Sequence, residues 1–455
     1  MIKTFFKPPE GELIFSDKQL RKLFVPLIIE QLLAVTIGMA GIIMVAPSGE
    51  AAVSAIALVD AINVLVIQVF AALATGGAVV TSQYIGNDDF DNACNSAKQL
   101  FYTGLSISVI LSIITLIFKA QILTLIFGNI DPVVISNCYT YFFFSAISYP
   151  FIAVYNIGAA LFRSMNNSKI SMLISIIMNI VNIIGNIILI YRFDMGVLGA
   201  GVSLLVSRAT AAVIIFIIIL KPTNLIYIKN PFNFKFDFAL IKRILKIGVP
   251  NGLENGMFQI GRLVVQVVVT SFGTAAIAAN AIVNTLSSFS TGVTGVAIGL
   301  GVVTVIGQSM GGKKTDQAVY YTKKLMIITY VTTNILNVLI FALAPHIIAI
   351  FNLSAEAASI AIYLIRLFCI ISFFIWPLSF TIPNTLRASG DAKFTMIISM
   401  FSMWVFRIGL SYLFCKTLNF GIEGVWYAMY IDWMFRAVVF SIRIKGDKWK
   451  RFEVI

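Results

Sequence analysis

The chain repeats itself. Val25-Pro26-Leu27-Ile28-Ile29-Glu30 returns as Val249-Pro250-Asn251-Gly252-Leu253-Glu254, 224 residues later in a chain of 455. Phe162-Arg163-Ser164-Met165 through Lys169 and Met172 matches Leu386-Arg387-Ala388-Ser389 through Lys393 and Met396 at the same offset. Gly196-Val197-Leu198-Gly199 matches Gly421-Ile422-Glu423-Gly424 at 225. A period of half the chain is too long for a solenoid. It predicts two complete, similar lobes, an arrangement that membrane proteins use for alternating access.

Composition names the solvent. A hydrophobic fraction of 59% with only 12% charged residues lies far from soluble domains, which carry about 25% charge. Apolar runs long enough to cross roughly 30 Å of hydrocarbon predict twelve helices, near 23–46, 51–82, 94–118, 133–162, 170–191 and 197–220, then 247–271, 275–309, 325–345, 357–386, 394–415 and 422–442. Barrel strands would be about ten residues long and alternating, whereas Ile174 to Ile190 and Ala211 to Leu220 are almost continuously apolar. The expected fold class is an all-α polytopic membrane protein of two pseudo-symmetric six-helix bundles. Its parts are a cytoplasmic segment 1–22, an N-lobe 23–220, a linker 221–246, a C-lobe 247–442 and a basic tail 443–455.

The formal net charge of +13 is not a nucleic-acid signal, because it is sorted by side. With both termini cytoplasmic, 25 of the 33 Lys and Arg fall in inner segments, among them Lys3, Lys7, Lys18, Arg163, Lys313, Lys314, Arg387 and Arg443. Outer loops hold Lys119, Arg192 and Lys416, and five arginines lie inside helices. This is the positive-inside pattern. Helix 1 is too long for a signal-peptide core and lacks a small-residue cleavage site, so it is expected to be retained. Cys94, Cys138, Cys369 and Cys415 form no CxxC pair, and the lone His346 cannot build a metal cluster. No GxxxxGK[ST] stretch is present. The chain is therefore expected to be no enzyme, to need no cofactor, and to draw energy from an ion gradient or from downhill flow.

A charge at the centre of a membrane helix costs roughly 2.5–3.5 kcal/mol on insertion scales, which makes each retained one a functional candidate. Four acids qualify: Glu30, Asp60, Glu254 and Asp432. In helix 7, Asn251, Asn255, Gln259, Arg262 and Gln266 share about 80° of arc, with Glu254 about 60° to one side. Such a stripe is expected to line a wet passage, where Glu254 can exchange a proton or coordinate Na⁺. The alternative is a structural pair with Arg262 or an arginine of another helix. Glu30 holds the matching place in the first lobe, where Lys22 or loop amides are alternative partners. Asp60 shares a polar stripe with Asn63, Gln68 and Thr75, and helix 8 carries Asn280 and Asn284. Asp432 and Arg436, four apart, are expected to neutralise each other. Arg208, Arg366 and Arg407 have no sequence-local acid. Pro26, Pro250, Pro377 and Pro383 are expected to bend helices whose freed carbonyls find neighbours.

Within this frame further fragments fall in order: Glu30-Gln31-Leu32-Leu33, Ile43-Met44-Val45, Gln83-Tyr84-Ile85-Gly86, Gly307-Gln308-Ser309-Met310-Gly311, Leu386-Arg387-Ala388-Ser389-Gly390-Asp391-Ala392-Lys393, Gly421-Ile422-Glu423-Gly424-Val425-Trp426 and Lys448-Trp449. Through them the chain resembles the multidrug and toxic compound extrusion (MATE) family. The resemblance spans all twelve helices. It implies two bundles around a V-shaped cleft that extrude cationic amphipathic compounds in exchange for H⁺ or Na⁺. It also implies departures: relatives carry an Asp where Gly41 stands, and helix 10 has no carboxylate. Coupling is then expected to rest on Glu254, Glu30 and Asp60. The resulting expectation is a monomeric antiporter of the cell membrane that exports small organic cations, with membrane lipids around it and no nucleic acid. Aromatics such as Phe258, Phe289, Tyr155 and Trp376 are candidate cation–π faces. A flippase for lipid-linked saccharides is the alternative within transport, and convergence of Arg208, Arg262, Arg366 and Arg407 would favour it. A membrane enzyme is expected to show clustered catalytic polar groups near one interface and a sensor an appended domain, and the sequence shows neither sign.

Overall fold

The computed structural model describes residues 8–128, 131–231 and 233–455, without the side chains of 35–40, 42 and 43. Lys3 and Lys7 of the basic set, and the side chain of Ile43, lie outside the described residues. Twelve helices follow in order: α1 (Asp17–Val45), α2 (Glu50–Gly86), α3 (Phe90–Phe127), α4 (Pro132–Ser164), α5 (Ser168–Arg192), α6 (Gly196–Ile219), α7 (Phe238–Thr270), α8 (Thr274–Gly311), α9 (Thr315–Ala349), α10 (Ala355–Ser389), α11 (Ala392–Thr417) and α12 (Glu423–Lys445). Among the described residues nine are long and apolar enough to cross a membrane. Several overrun their predicted bounds because an apolar window marks the hydrocarbon crossing, while the polar ends stay helical beyond it. In α3 the predicted end coincides with a real event. Phe118 leaves helical geometry (φ −102°, ψ 16°), and the helix resumes to Phe127.

The repeat is visible in the turns. Backbone in the left-handed region recurs at the sequence offset: Asp88 with Lys313, Asn166 with Gly390, Gly49 with Gly273, Asp194 with Asn419. The hydrogen bonds that close these helix ends recur as well. Asp89 N–H donates to Tyr84 O (3.0 Å) as Lys314 N–H does to Ser309 O (2.9 Å), and Asn167 N–H to Phe162 O (2.9 Å) as Asp391 N–H to Leu386 O (2.8 Å). Each is a Schellman-type stop. Starts are capped by short polar side chains: Asp89 accepts from Asn92 N–H, Asp131 from Val133 N–H ahead of Pro132, and Ser354 from Ala357 N–H.

The chain packs as two compact units, Gln19–Gly252 and Leu253–Ile455, the second including the segment up to Lys18. In the first, α4 is the hub against α2, α3 and α6; in the second, α10 is the hub against α8, α9 and α12. Their cores are apolar, built on Ala55, Val59, Leu123 and Phe142 in one and Val283, Leu364, Ile365 and Phe368 in the other. The outer faces are apolar too, as lipid contact requires. Ile110, Ile113 and Ile117 of α3 and Val331, Ile335 and Val338 of α9 are exposed at helical spacing.

In the first unit α2 and the start of α7 approach to backbone contact. A Cβ on Gly76 would stand 2.5 Å from Ile244 O and 2.7 Å from Gly248 N. The linker is docked on α3: Gln99 Nε2 donates to Lys235 O (2.8 Å), Asp237 N–H to Gln99 Oε1 (3.0 Å), and Phe234 packs on Tyr102 with ring centroids 5.0 Å apart. In the second unit, Ile14 N–H donates to Gln317 Oε1 (2.9 Å) and Phe15 N–H to Tyr321 OH (2.8 Å), fixing the N-terminal segment on α9. The tail is anchored by Trp449, buried with its Nε1–H on Ile444 O (2.8 Å). Pro377 frees the carbonyl of Phe373, and Asn334 Nδ2 donates to it at 3.2 Å.

Candidate functional site

Each unit holds one carboxylate on its first long helix, clasped by an arginine from the end of its hub helix. Glu254 of α7 is buried, and Arg387 Nη2 of α10 donates to its Oε1 at 2.7 Å. Arg387 Nη1 also donates to Asn384 Oδ1 (2.7 Å), which fixes the guanidinium fork. Arg436 Nη2 of α12 stands 3.9 Å from the same Glu254 oxygen. In the other unit Glu30 of α1 is buried, with Arg163 Nη1 of α4 at 3.8 Å. Tyr155 OH donates to Glu30 Oε1 (3.2 Å) and Ser171 Oγ to Oε2 (3.0 Å). Glu30 and Glu254 are 224 apart, and so are Arg163 and Arg387. Neither Arg262 nor Lys22 takes the carboxylates. Both clasping arginines belong to the set expected to face the cytoplasm as topological charges.

Asp60 forms a separate polar network. Its Oδ1 accepts from Asn63 Nδ2 (3.0 Å) and Tyr141 OH (3.3 Å), and Tyr149 OH donates to Asn63 Oδ1 (3.0 Å). Arg208 donates to Ser148 Oγ (2.8 Å). Thr75 of the expected polar stripe turns to its own helix, donating to Ala71 O (2.8 Å).

The expected Asp432–Arg436 pair makes no direct contact within 4 Å, although the Asp432 charge acts on Arg436. Asp432, fully buried, accepts from Ser402 Oγ and lies with Oδ2 3.9 Å from Arg407 Nη1 of α11, while Arg436 turns toward Glu254. The spacing of four puts both on one face, and the Ser402 hydroxyl of α11 donates to the Asp432 carboxylate as well. Phe258 is likewise not open to a cation in this structure. Its ring carries Arg407 (5.3 Å) and Arg436 (5.7 Å). Tyr155 is engaged by Glu30, and Trp376 stacks on Phe380 at 5.1 Å.

Of the helix-7 stripe, Asn255 and Gln259 are half-buried, and Arg262 and Gln266 reach a recess shared with Asn280, Asn284, Arg407 and Trp426. Asn280 Nδ2 donates to Gln266 Oε1 (3.3 Å). Of the four arginines whose convergence would favour a flippase, Arg262 and Arg407 thus meet in one recess. Arg208 belongs to the first unit's polar network, and Arg366 packs over Phe341 (5.5 Å).

Twelve helices in two units, nine of them among the described residues long and apolar enough to cross a membrane, define a polytopic membrane protein. Residues 26–188 and 250–413 each match the MatE family model, the two matches displaced by 224 residues at their starts and 225 at their ends. The chain belongs to the MatE family, whose members are membrane transporters and not enzymes. Among relatives, the uncharacterized transporter YisQ of Bacillus subtilis is 26% identical over 93% of both chains. The probable multidrug resistance protein NorM of Thermotoga maritima is 24% identical over 98% of this chain and 96% of its own. A MOP-superfamily transporter from Pyrococcus furiosus, whose binding pocket is described as having reverse polarity, superposes with a TM-score of 0.87 at 20% identity, covering 98% of each chain.

Proposed function

We propose that this protein is a secondary transporter of the cell membrane that exports amphipathic compounds by alternating access, driven by H⁺ or Na⁺ exchanged at Glu254. Both termini are cytoplasmic, the lobes 23–220 and 247–442 are the moving bodies, and one chain suffices. The observation that carries the reading is the twinned clasp, Glu254 with Arg387 and Glu30 with Arg163. A buried carboxylate–guanidinium pair is stabilising only while both charges are present, and removing one leaves the other uncompensated at a cost of roughly 3–5 kcal/mol. A proton or Na⁺ arriving at Glu254 therefore loosens α10 from α7 within its unit. That is enough differential energy to bias two conformations. The second-lobe clasp is the stronger coupling candidate, because its hydrogen bond is direct while Arg163 stands 3.8 Å from Glu30. Organic cations, the cargo the family resemblance implies, would have to displace Arg387 to reach the Glu254 charge.

The test is efflux from everted vesicles with proton and sodium gradients imposed separately. Wild-type transport is expected to follow one of the two gradients, and Glu254→Gln at equal expression to lose that dependence. Gradient dependence that survives in Glu254→Gln removes Glu254 from the coupling role.

A further inference from the structure

The second unit brings four arginines near two carboxylates. Arg262, Arg387, Arg407 and Arg436 face two carboxylates, Glu254 and Asp432, and the ion pairs there join Arg387 and Arg436 to Glu254 and Arg407 to Asp432. Arg262 makes no ion pair or hydrogen bond among the described residues and is exposed. It lines, with Arg407, a recess of about 70 Å³ whose other polar walls are Gln266, Asn280, Asn284 and Trp426. That space takes several waters or one small anionic group. The indole Nε1–H of Trp426, which lines the recess, is buried without an acceptor among the described residues; outside the recess Nε–H of Arg387 and two N–H groups of Arg436 also lack one, as Glu254 Oε2 and Asp432 Oδ2 lack a donor. Buried donors without acceptors cost free energy that an acceptor-only group relieves.

We infer that this recess binds the anionic head, phosphate, sulfonate or carboxylate, of an amphipathic cargo. Arg262 supplies the free guanidinium, Arg407 the second charge, and Asn280, Asn284 and Gln266 the neutral donors that orient the oxygens. The inference rests on the proposed transport function and gives its cargo a charge opposite to the organic cation that the family resemblance implies. An organic cation would meet two guanidiniums here with no unpaired carboxylate to offset them.

The experiment is equilibrium binding to the full chain in phosphatidylcholine nanodiscs, using two fluorescent probes that share a naphthalene body, one with a sulfonate and one with a trimethylammonium head. The sulfonate is expected to bind about 10-fold tighter or more, as charge-assisted hydrogen bonds predict. Arg262→Gln is expected to weaken the sulfonate about 10-fold, Arg262→Lys to weaken it less, and Arg366→Gln, outside the recess, to leave it unchanged. Adding phosphatidylglycerol separates the sources: displacement of the sulfonate assigns the site to a lipid phosphate, and no displacement assigns it to a soluble anion. Equal or tighter binding of the ammonium probe, or indifference to Arg262→Gln in correctly folded protein, overturns the site. No gradient enters this assay. Retained gradient dependence in Glu254→Gln would sink the coupling proposal and leave this site standing, and equal affinity for both heads would do the reverse.

Discussion

Arg387→Ala is expected to lower the thermal unfolding midpoint of the purified protein more than any other single replacement of an arginine in the second unit. It leaves Glu254 buried at 5% exposure with Arg436 no nearer than 3.9 Å, and stranding a buried charge costs roughly 3–5 kcal/mol. The same change adds a cavity and orphans Asn384 Oδ1. The double variant Glu254→Gln with Arg387→Ala is expected to be more stable than Arg387→Ala alone, because the amide needs no counter-charge. An Arg387→Ala midpoint equal to wild type means the pair is not closed in the membrane. Removing both partners matching the sum of the single losses would show that they do not interact.

Gly76→Leu is expected to leave little folded protein. In an open stretch of helix, replacing glycine gains up to about 1 kcal/mol of helix propensity. Here the added atoms meet the backbone of Ile244 and Gly248, which cannot rotate aside as a side chain can. Overpacking of this kind costs roughly 1–3 kcal/mol, and a leucine against main chain belongs at the upper end. Gly256→Ala in α7, where a Cβ meets nothing within 4 Å, is expected to be neutral or slightly stabilising. Size-exclusion profiles and unfolding midpoints of the two variants check the contrast. Equal behaviour would mean that α2 and α7 do not touch at Gly76.

The architecture was legible in the sequence because its two determinants are written in residue identities alone. Twenty-residue apolar runs report the crossings, and the half-chain offset that pairs Pro26 with Pro250 and Glu30 with Glu254 reports the repeat. The carboxylates were legible for the same reason, since Glu30, Asp60, Glu254 and Asp432 are costly wherever they sit in hydrocarbon. Their partners were not. Arg163 and Arg387 lie at the ends of α4 and α10, where a basic residue serves topology equally well, and only tertiary packing decides that their side chains turn inward. A signal did exist: the offset separating the two arginines is the offset separating the two glutamates. For Asp432 helical spacing told only part, because proximity along one helix says nothing of the Ser402 hydroxyl or the Arg407 guanidinium brought in by α11. Arg262 was found by the face it shares with Gln266, but its company in the recess comes from α8, α11 and α12.

The central claim is that charge exchange at Glu254 couples the ion gradient to transport, and proteoliposomes carrying Glu254→Gln test it most directly when substrate counterflow and gradient-driven uptake are measured side by side. Coupling at this carboxylate predicts that the variant keeps counterflow near the wild-type rate and loses accumulation against a substrate gradient. Accumulation at the wild-type level, or equal loss of counterflow and accumulation in a variant with unchanged unfolding midpoint, would contradict it.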